Sequence, residues 1–350
     1  MSGNPTVSRS LRASGIVGAG GAGFPTHLKY RRHTQRLIIN VQDSEPGYVK
    51  DKWLMLTLQE FLNQGLELLQ DTFRFDEIVF AVKDSYKAEF AAFESKFPIV
   101  FTDDTYWNGE AKKLASTVFG IPFITNQRTQ DFDVTVSCLE TVANLCWWLL
   151  DGLPVTDKYV QVYGAVKTPR LVRAPVGTSA KVLLALACPT PDEHFVAPLV
   201  LTGGPMMGRV VDPGTFTVLK TTNDLFVAPV NFFERHRATT PTWRETPEQI
   251  TKKLRLGSIL DWHPKDVDLI DLTEGVDMVK IDLRQAARFG KASRPIVCVE
   301  QPVARGELIA IAEDDEGVDL HASISGFVHT VMSDRIVLAK ERSFAQSSTA

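Results

Sequence analysis

The chain has 350 residues, of which 44% are hydrophobic and 23% charged; this is a globular composition, long enough for two or three domains, and it excludes wholesale disorder and fibrous classes. The net charge of -4 and pI near 6.0 lack the basic balance of a nucleic-acid binder, the one basic cluster being 29–36 (KYRRHTQR). The most apolar run, Leu145–Leu150, is far short of the roughly 18 residues of a membrane span, and the N-terminus carries no apolar signal segment, so the expected compartment is the cytoplasm.

In chain order, the first feature is 18–29 (GAGGAGFPTHLK). Its glycines Gly18, Gly20, Gly21 and Gly23 permit positive φ and close backbone approach, so successive amides can converge on an anion. Lys29 adds a positive charge, Phe24 and Pro25 stiffen the loop or cover an aromatic ring, and His27 meets either a ligand or solvent. Glycine content alone divides evenly between a phosphate cradle and an ordinary turn. Leu37–Val41 (LIINV) reads as a strand whose end carries Asn40, Asp43 and Glu45, either at a ligand crevice or in a solvated acidic loop.

Trp53–Leu69 has helical spacing, Glu77–Val82 strand character, Tyr86–Phe97 helical spacing again, and Ile99–Thr102 strand character. This alternation predicts an α/β domain with a largely parallel sheet. Next come YWNGEAKK (106–113), with Tyr106, Gly109 and Glu110, and VSCLETVAN (136–144), with Ser137, Cys138, Glu140 and Thr141. Beyond Asp151 the texture changes to short β runs: Tyr159–Val166 and Leu171–Val176, a helix over Ser179–Leu186, then PLVLTGGPMMG (198–208). The stretch 231–264 is polar and proline-containing and reads as a connector; short β runs return at 278–283, 296–299, 308–312, 326–331 and 335–338, before a serine-rich tail at 344–350 that is expected to fray. The four cysteines, Cys138, Cys146, Cys188 and Cys298, form no CxxC pair, so no iron–sulfur or zinc pattern is present and packing thiols are expected.

The glycine segment, together with NVQDSEPGYVKD (40–51), YWNGEAKK and VSCLETVAN, resembles the FMN-binding subunit of respiratory complex I and the C subunit of the Rnf complex. In module order the chain resembles the cobalamin reductase of propanediol-utilisation microcompartments. The resemblance implies FMN contacts at Gly18, Gly20, Gly21, Gly23, Lys29, Asn40, Asp43, Glu45, Tyr106, Gly109, Ser137, Cys138 and Thr141. It implies catalytic roles for Tyr106, stacked on a ring, and Glu110, orienting a nicotinamide or tuning the flavin. The chain departs from the pattern at Asp43, where glutamate is usual, at Ala111, where a second glutamate follows, and at Ser137 and Cys138, where two amides are common.

The implied fold class is α/β: a Rossmann-like FMN-binding domain (1–152), a β-grasp module of the soluble-ligand-binding (SLBB) type (153–230), a connector replacing a ferredoxin domain (231–275) and a barrel-sandwich-like β module (276–343). The implied function is an FMN-dependent electron-transfer oxidoreductase without iron–sulfur clusters. NADH is the implied donor, and a corrinoid, a quinone-like molecule, a second flavin or a protein partner the acceptor. The open alternative is a non-catalytic flavin-binding or assembly subunit. Both a homo-oligomer and a redox partner complex are compatible with the sequence.

Overall fold

Four apolar, β-branched runs build the first sheet: β1 (Arg36–Val41), β2 (Glu77–Lys83), β3 (Ile99–Thr102) and β4 (Val134–Cys138). All pair in parallel in the order β3-β2-β1-β4. The computed structural model describes residues 5–342 apart from 32, 123–125, 188–198, 239–241, 243, 261–267 and 287–288; Cys188 and the 344–350 tail lie outside the described residues. Parallel strands are covered on both faces, and here the helices do the covering. The helices are α1 (Pro5–Ala13), α2 (Thr26–Lys29), α3 (Lys50–Thr57), α4 (Gln59–Phe73), α5 (Ala111–Phe119) and α6 (Leu139–Asp151).

Leu54 of α3, Leu62, Leu66 and Leu69 of α4, and Leu139, Val142 and Leu145 of α6 pack with Leu37, Ile39 and Val41 on one face. Leu114 and Ala115 of α5 close the other face over Ile38, Val79, Val134 and Val136. A side chain at Gly65 would stand 2.6 Å from Cys146 Sγ, so this glycine is what lets α4 approach α6, and Cys146 is a packing thiol, as expected.

The helix expected over Trp53–Leu69 is two helices that meet at Leu58 (φ -99, ψ 21). The one expected over Tyr86–Phe97 does not form. The chain makes a 3-10 turn at Asp84–Tyr86 and further turns, in which Phe93 packs on Phe90 (5.3 Å) and Phe80 (6.3 Å). Rings spaced like a helical stripe reach the core there without a continuous ladder.

A six-stranded mixed sheet follows: β5 (Asp157–Gly164), β6 (Arg170–Pro175), β7 (Leu199–Thr202), β8 (Arg209–Val211), β9 (Asp224–Ala228) and β10 (Leu269–Asp271), ordered β10-β6-β5-β9-β7-β8. Helix α7 (Ala180–Ala187) buries Leu183 and Leu184 against it. The segment expected to be a polar connector is instead packed. Phe232, Ile250, Leu254 and Leu256 are buried with Tyr163 and Phe226, and β10 joins the sheet edge beside β6. Thr246 caps the helix Pro247–Lys253 in a reciprocal arrangement with Gln249, and the spacing of Ile250 and Leu254 gives it one apolar face.

The C-terminal part carries β11 (Met278–Asp282), β12 (Arg294–Pro295), β13 (Pro302–Val303), β14 (Leu308–Ile311), β15 (Leu320–His321), β16 (Gly326–Val331) and β17 (Arg335–Ala339). The antiparallel sheets β11-β17-β16-β13 and β12-β14-β15 share one core of Val279, Ile281, Ile309, Leu320, Val328, Ile336 and Leu338. The run expected at 296–299 pairs at Arg294–Pro295 instead. Among the described residues no helix is long and apolar enough to cross a membrane.

Candidate functional site

In the first sheet β1 lies between β2 and β4, and the connections leave it in opposite directions. A crevice therefore opens beyond the carboxyl ends of β1 and β4, the place where open α/β sheets bind ligands. Asn40 and Cys138 are register partners at that edge. The glycine loop closes over it. Val17 pairs with Pro25 at its base, and the amides of Gly18 and Gly23 donate to Phe24 O (2.8 Å) and Gly18 O (3.2 Å), while Gly21 and Gly23 adopt φ of +99 and +68. Ala19 N donates to Thr141 Oγ1 (2.8 Å), and a side chain at Gly20 would meet Cys138 Sγ at 3.3 Å. Gly20, Gly21 and Ala22 are exposed at the tip, and among the described residues their amides have no protein acceptor. Helix α6 starts directly beneath, and its Cys138 N-cap caps no first-turn backbone amide, its Sγ sharing a hydrogen bond with Thr141 Oγ1 (3.0 Å) instead. Free loop amides beside a helix N-terminus are chemically suited to an anion.

Two lysines lie under this loop. Lys50 and Lys158, 1% exposed each, both ion-pair with Glu140 Oε2. Both also donate to Asn223 Oδ1, at 3.0 and 3.1 Å, and Lys158 reaches Ala19 O at 3.0 Å. Glu140 Oε1 accepts from Tyr159 N (3.0 Å). Burial would raise Glu140, but the two ammonium groups hold it below the usual carboxylate range. Burial pulls Lys158 down to about 8, against the attraction of Glu140. Lys50, in the 40–51 segment, and Asn223, in the KTTN run (220–223) that also resembles the family, were assigned no role from the sequence, nor was Lys158, because nothing local marks these side chains for burial together. Gln42 was also missed; it is 2% exposed, and neither amide atom has a partner among the described residues.

The crevice brings together Gly18, Gly20, Gly21, Gly23, Asn40, Cys138 and Thr141 of the expected set. Asn40 Nδ2 donates to Gly109 O (3.1 Å), which adds Gly109 to the rim. Glu110 is exposed there and caps α5, accepting from Lys112 N (2.9 Å) and Lys113 N (3.0 Å). Ser137 lies one residue inside β4 and is buried, accepting from Tyr30 OH (3.1 Å).

Other expectations are corrected. Lys29 is not a free charge at the cradle: its ammonium donates to Val136 O (2.9 Å), and burial lowers its pKa. Asp43 is a framework carboxylate that accepts from Asp51 N (3.1 Å) and Lys52 N (2.9 Å), capping α3; burial lifts it to about 7. Tyr106 presents no ring face, being 5% exposed in an apolar cluster with Tyr163 and Phe226, its hydroxyl donating to Glu45. Glu45 also accepts from Met206 N (2.8 Å) and Met207 N (3.1 Å), and it pins the TGGPMMG turn; burial pushes it up to about 8. His27 is buried against Asp315 O (2.7 Å), and Phe24 packs edge-on against Phe289 (5.1 Å).

Residues 11–147 match the family model described as the Nuo51 FMN-binding domain. The chain is 31% identical over 229 residues to the cobalamin reductase PduS of Salmonella typhimurium, covering 64% of this chain and 50% of that protein. It is 28% identical over 267 residues to the C subunit of the ion-translocating oxidoreductase complex of Salmonella arizonae, covering 72% of this chain and 37% of that one. It thus spans about half the length of the cobalamin reductases it matches. An air-oxidised NAD+-reducing NiFe hydrogenase shares the fold, with a TM-score of 0.55 at 20% identity over 71% of this chain and 53% of the other. The chain is thus similar through residues 11–147 to the Nuo51 FMN-binding domain, and along a longer stretch to the cobalamin reductases and to the C subunit of the ion-translocating oxidoreductase complex.

Proposed function

We propose that this chain is an FMN-dependent electron-transfer oxidoreductase that holds its flavin in the crevice between β1 and β4. One observation carries the reading: three unpaired loop amides and the uncapped start of α6 converge at a topological switch point. The donor set fits a phosphate-bearing cofactor, and a side chain at Gly20 would close the approach beside Cys138. Gly20, Gly21 and Ala22 would hold the phosphate, with Asn40, Gly109, Cys138 and Thr141 along the rest of the crevice. Bound FMN supplies a two-electron redox couple able to exchange electrons singly or in pairs.

The chain's own residues position and shield. Thr141 fixes the loop through Ala19, and Tyr106 holds Glu45, which in turn holds the turn at Met206. Glu110 faces solvent at the rim, where it would meet a nicotinamide donor. NADH is the proposed donor and a corrinoid, quinone-like molecule, second flavin or protein partner the proposed acceptor. The three described cysteines stand at the crevice (Cys138), inside α6 (Cys146) and exposed in the C-terminal part (Cys298). We propose on that scatter that no cluster relay is built and that the acceptor meets the flavin directly. In the same reading the six-stranded sheet is the SLBB-type β-grasp module and the C-terminal pair of sheets the barrel-sandwich module.

The second reading, a non-catalytic flavin-binding or assembly subunit, is favoured by Ala111 standing where the family has a second glutamate. The visible spectrum of the purified, FMN-supplemented protein tests the first: a stoichiometric flavin band is expected, and a colourless protein that rejects FMN overturns it. Anaerobic NADH then tests the donor. Bleaching of the band supports the oxidoreductase with this donor, and a flavin that dithionite reduces but NADH does not removes NADH from the proposal.

A further inference from the structure

Asn223 enters the crevice from outside the first domain, on the segment leading into β9. Its side-chain orientation is fixed by its partners. Oδ1 accepts from two ammonium groups, Lys50 Nζ at 3.0 Å and Lys158 Nζ at 3.1 Å, and an ammonium only donates. The amide nitrogen Nδ2 must therefore face the other way, and there it lies 3.8 Å from where a Cβ on Gly21 would be. Among the described residues Nδ2 has no acceptor, and the residue is half-buried beside the exposed tip Gly20–Ala22. An oriented donor thus stands beside three free backbone donors, over a lysine pair held by Glu140, with Asp51 3.8 Å from Lys50.

We infer that Asn223 is a specificity-determining residue of the site: its Nδ2 donates to the terminal phosphate of the bound flavin and sets the preference for FMN over riboflavin. This rests on the flavin reading above. The second module then completes the cofactor site as well as packing beside it, since the loop amides and α6 come from the first domain and this donor from the next. Lys50 and Lys158 act through Asn223 as positioning residues, holding the amide so that its only free direction is toward the loop.

Asn223→Asp tests the idea. The aspartate keeps an oxygen acceptor for both lysines, so the fold is retained, but it places a carboxylate where the donor stood. A lost hydrogen bond to a charged group alone corresponds to roughly 10- to 100-fold in affinity. Fluorescence-quenching titrations with FMN and with riboflavin are run on both proteins, with melting temperatures alongside. The expected result is an FMN Kd raised at least about 10-fold, a riboflavin Kd within about 2-fold of wild type, and an unchanged melting temperature. An unchanged FMN Kd, or equal losses for both flavins, overturns the inference while leaving the flavin site standing. A wild-type protein that binds neither flavin overturns the flavin reading itself, and the inference with it.

Discussion

Glu140 is one carboxylate serving two buried lysines, and its removal breaks two close ion pairs where the removal of either lysine breaks one. Glu140→Gln strands Lys158 and leaves Lys50 only its 3.8 Å contact with Asp51, and should cost about 3–5 kcal/mol in urea unfolding. Lys158→Met leaves Lys50 and Glu140 paired and strips a donor from Ala19 O and Asn223, which should cost about 1–3 kcal/mol. Equal costs would mean that the cluster does not act as a charge-balanced unit. Lys220 makes a pH argument. It is 3% exposed and donates to Gly15 O (2.7 Å), and burial lowers it to about 7 against the attraction of Asp319. An unfolded lysine keeps its proton to about 10.5, so between those values the unfolded state binds more protons, and stability rises with pH. Unfolding free energies at pH 6.5 and 9.5 should show wild type gaining relative to Lys220→Met; parallel curves would refute the assignment. At this scale the glycine loop was legible because positive φ and free amides are local properties. Lys29, Asp43 and Tyr106 were misread because the same residue types also build framework, and only burial separates the two uses.

At the scale of elements, strand alternation and parallel order were readable from short apolar runs, since a strand buried on both faces is apolar at nearly every position. The failures have one physical form: spacing that specifies contact with a core without specifying the local path. Phe90 and Phe93 reach their core from turns, and Ile250 and Leu254 are sparse enough in a polar stretch to pass for a linker. The latter case can be measured. Leu254 is fully buried with Tyr163, Phe226 and Phe232, so Leu254→Ala should cost about 2–5 kcal/mol, as for a core leucine. A loss under about 0.5 kcal/mol in denaturant unfolding is what a true connector would give.

On the scale of the whole molecule, all three parts meet at the glycine loop. Thr141 holds Ala19 from the first domain, and Lys158 holds the same residue from the mixed sheet. From the C-terminal part, Phe289 packs on Phe24 and Asp315 O meets His27, while Val17 lies in the C-terminal core. The outer seams are polar: Gln161 bonds Gly47 O (2.7 Å), Arg305 grips Asp157 (2.6 Å), and Ser323 bonds Val176 O (2.6 Å). The succession of a parallel sheet, a mixed sheet and antiparallel sheets showed in the changing texture of the sequence. Their mutual fit did not, because it rests on single residues, polar and apolar, far apart in the chain. A ligand that orders this loop should therefore stabilise all three parts together. FMN at about 100 times its Kd adds roughly 2.7 kcal/mol to any unfolding that releases it. Hydrogen exchange with and without FMN should show slowed exchange in 16–26, in β9 and in β14–β15, with one melting transition moving upward as a unit. Slowing confined to the first domain, or a C-terminal transition that FMN leaves in place, would show that the modules are joined only by the chain and that the loop is the first domain's alone.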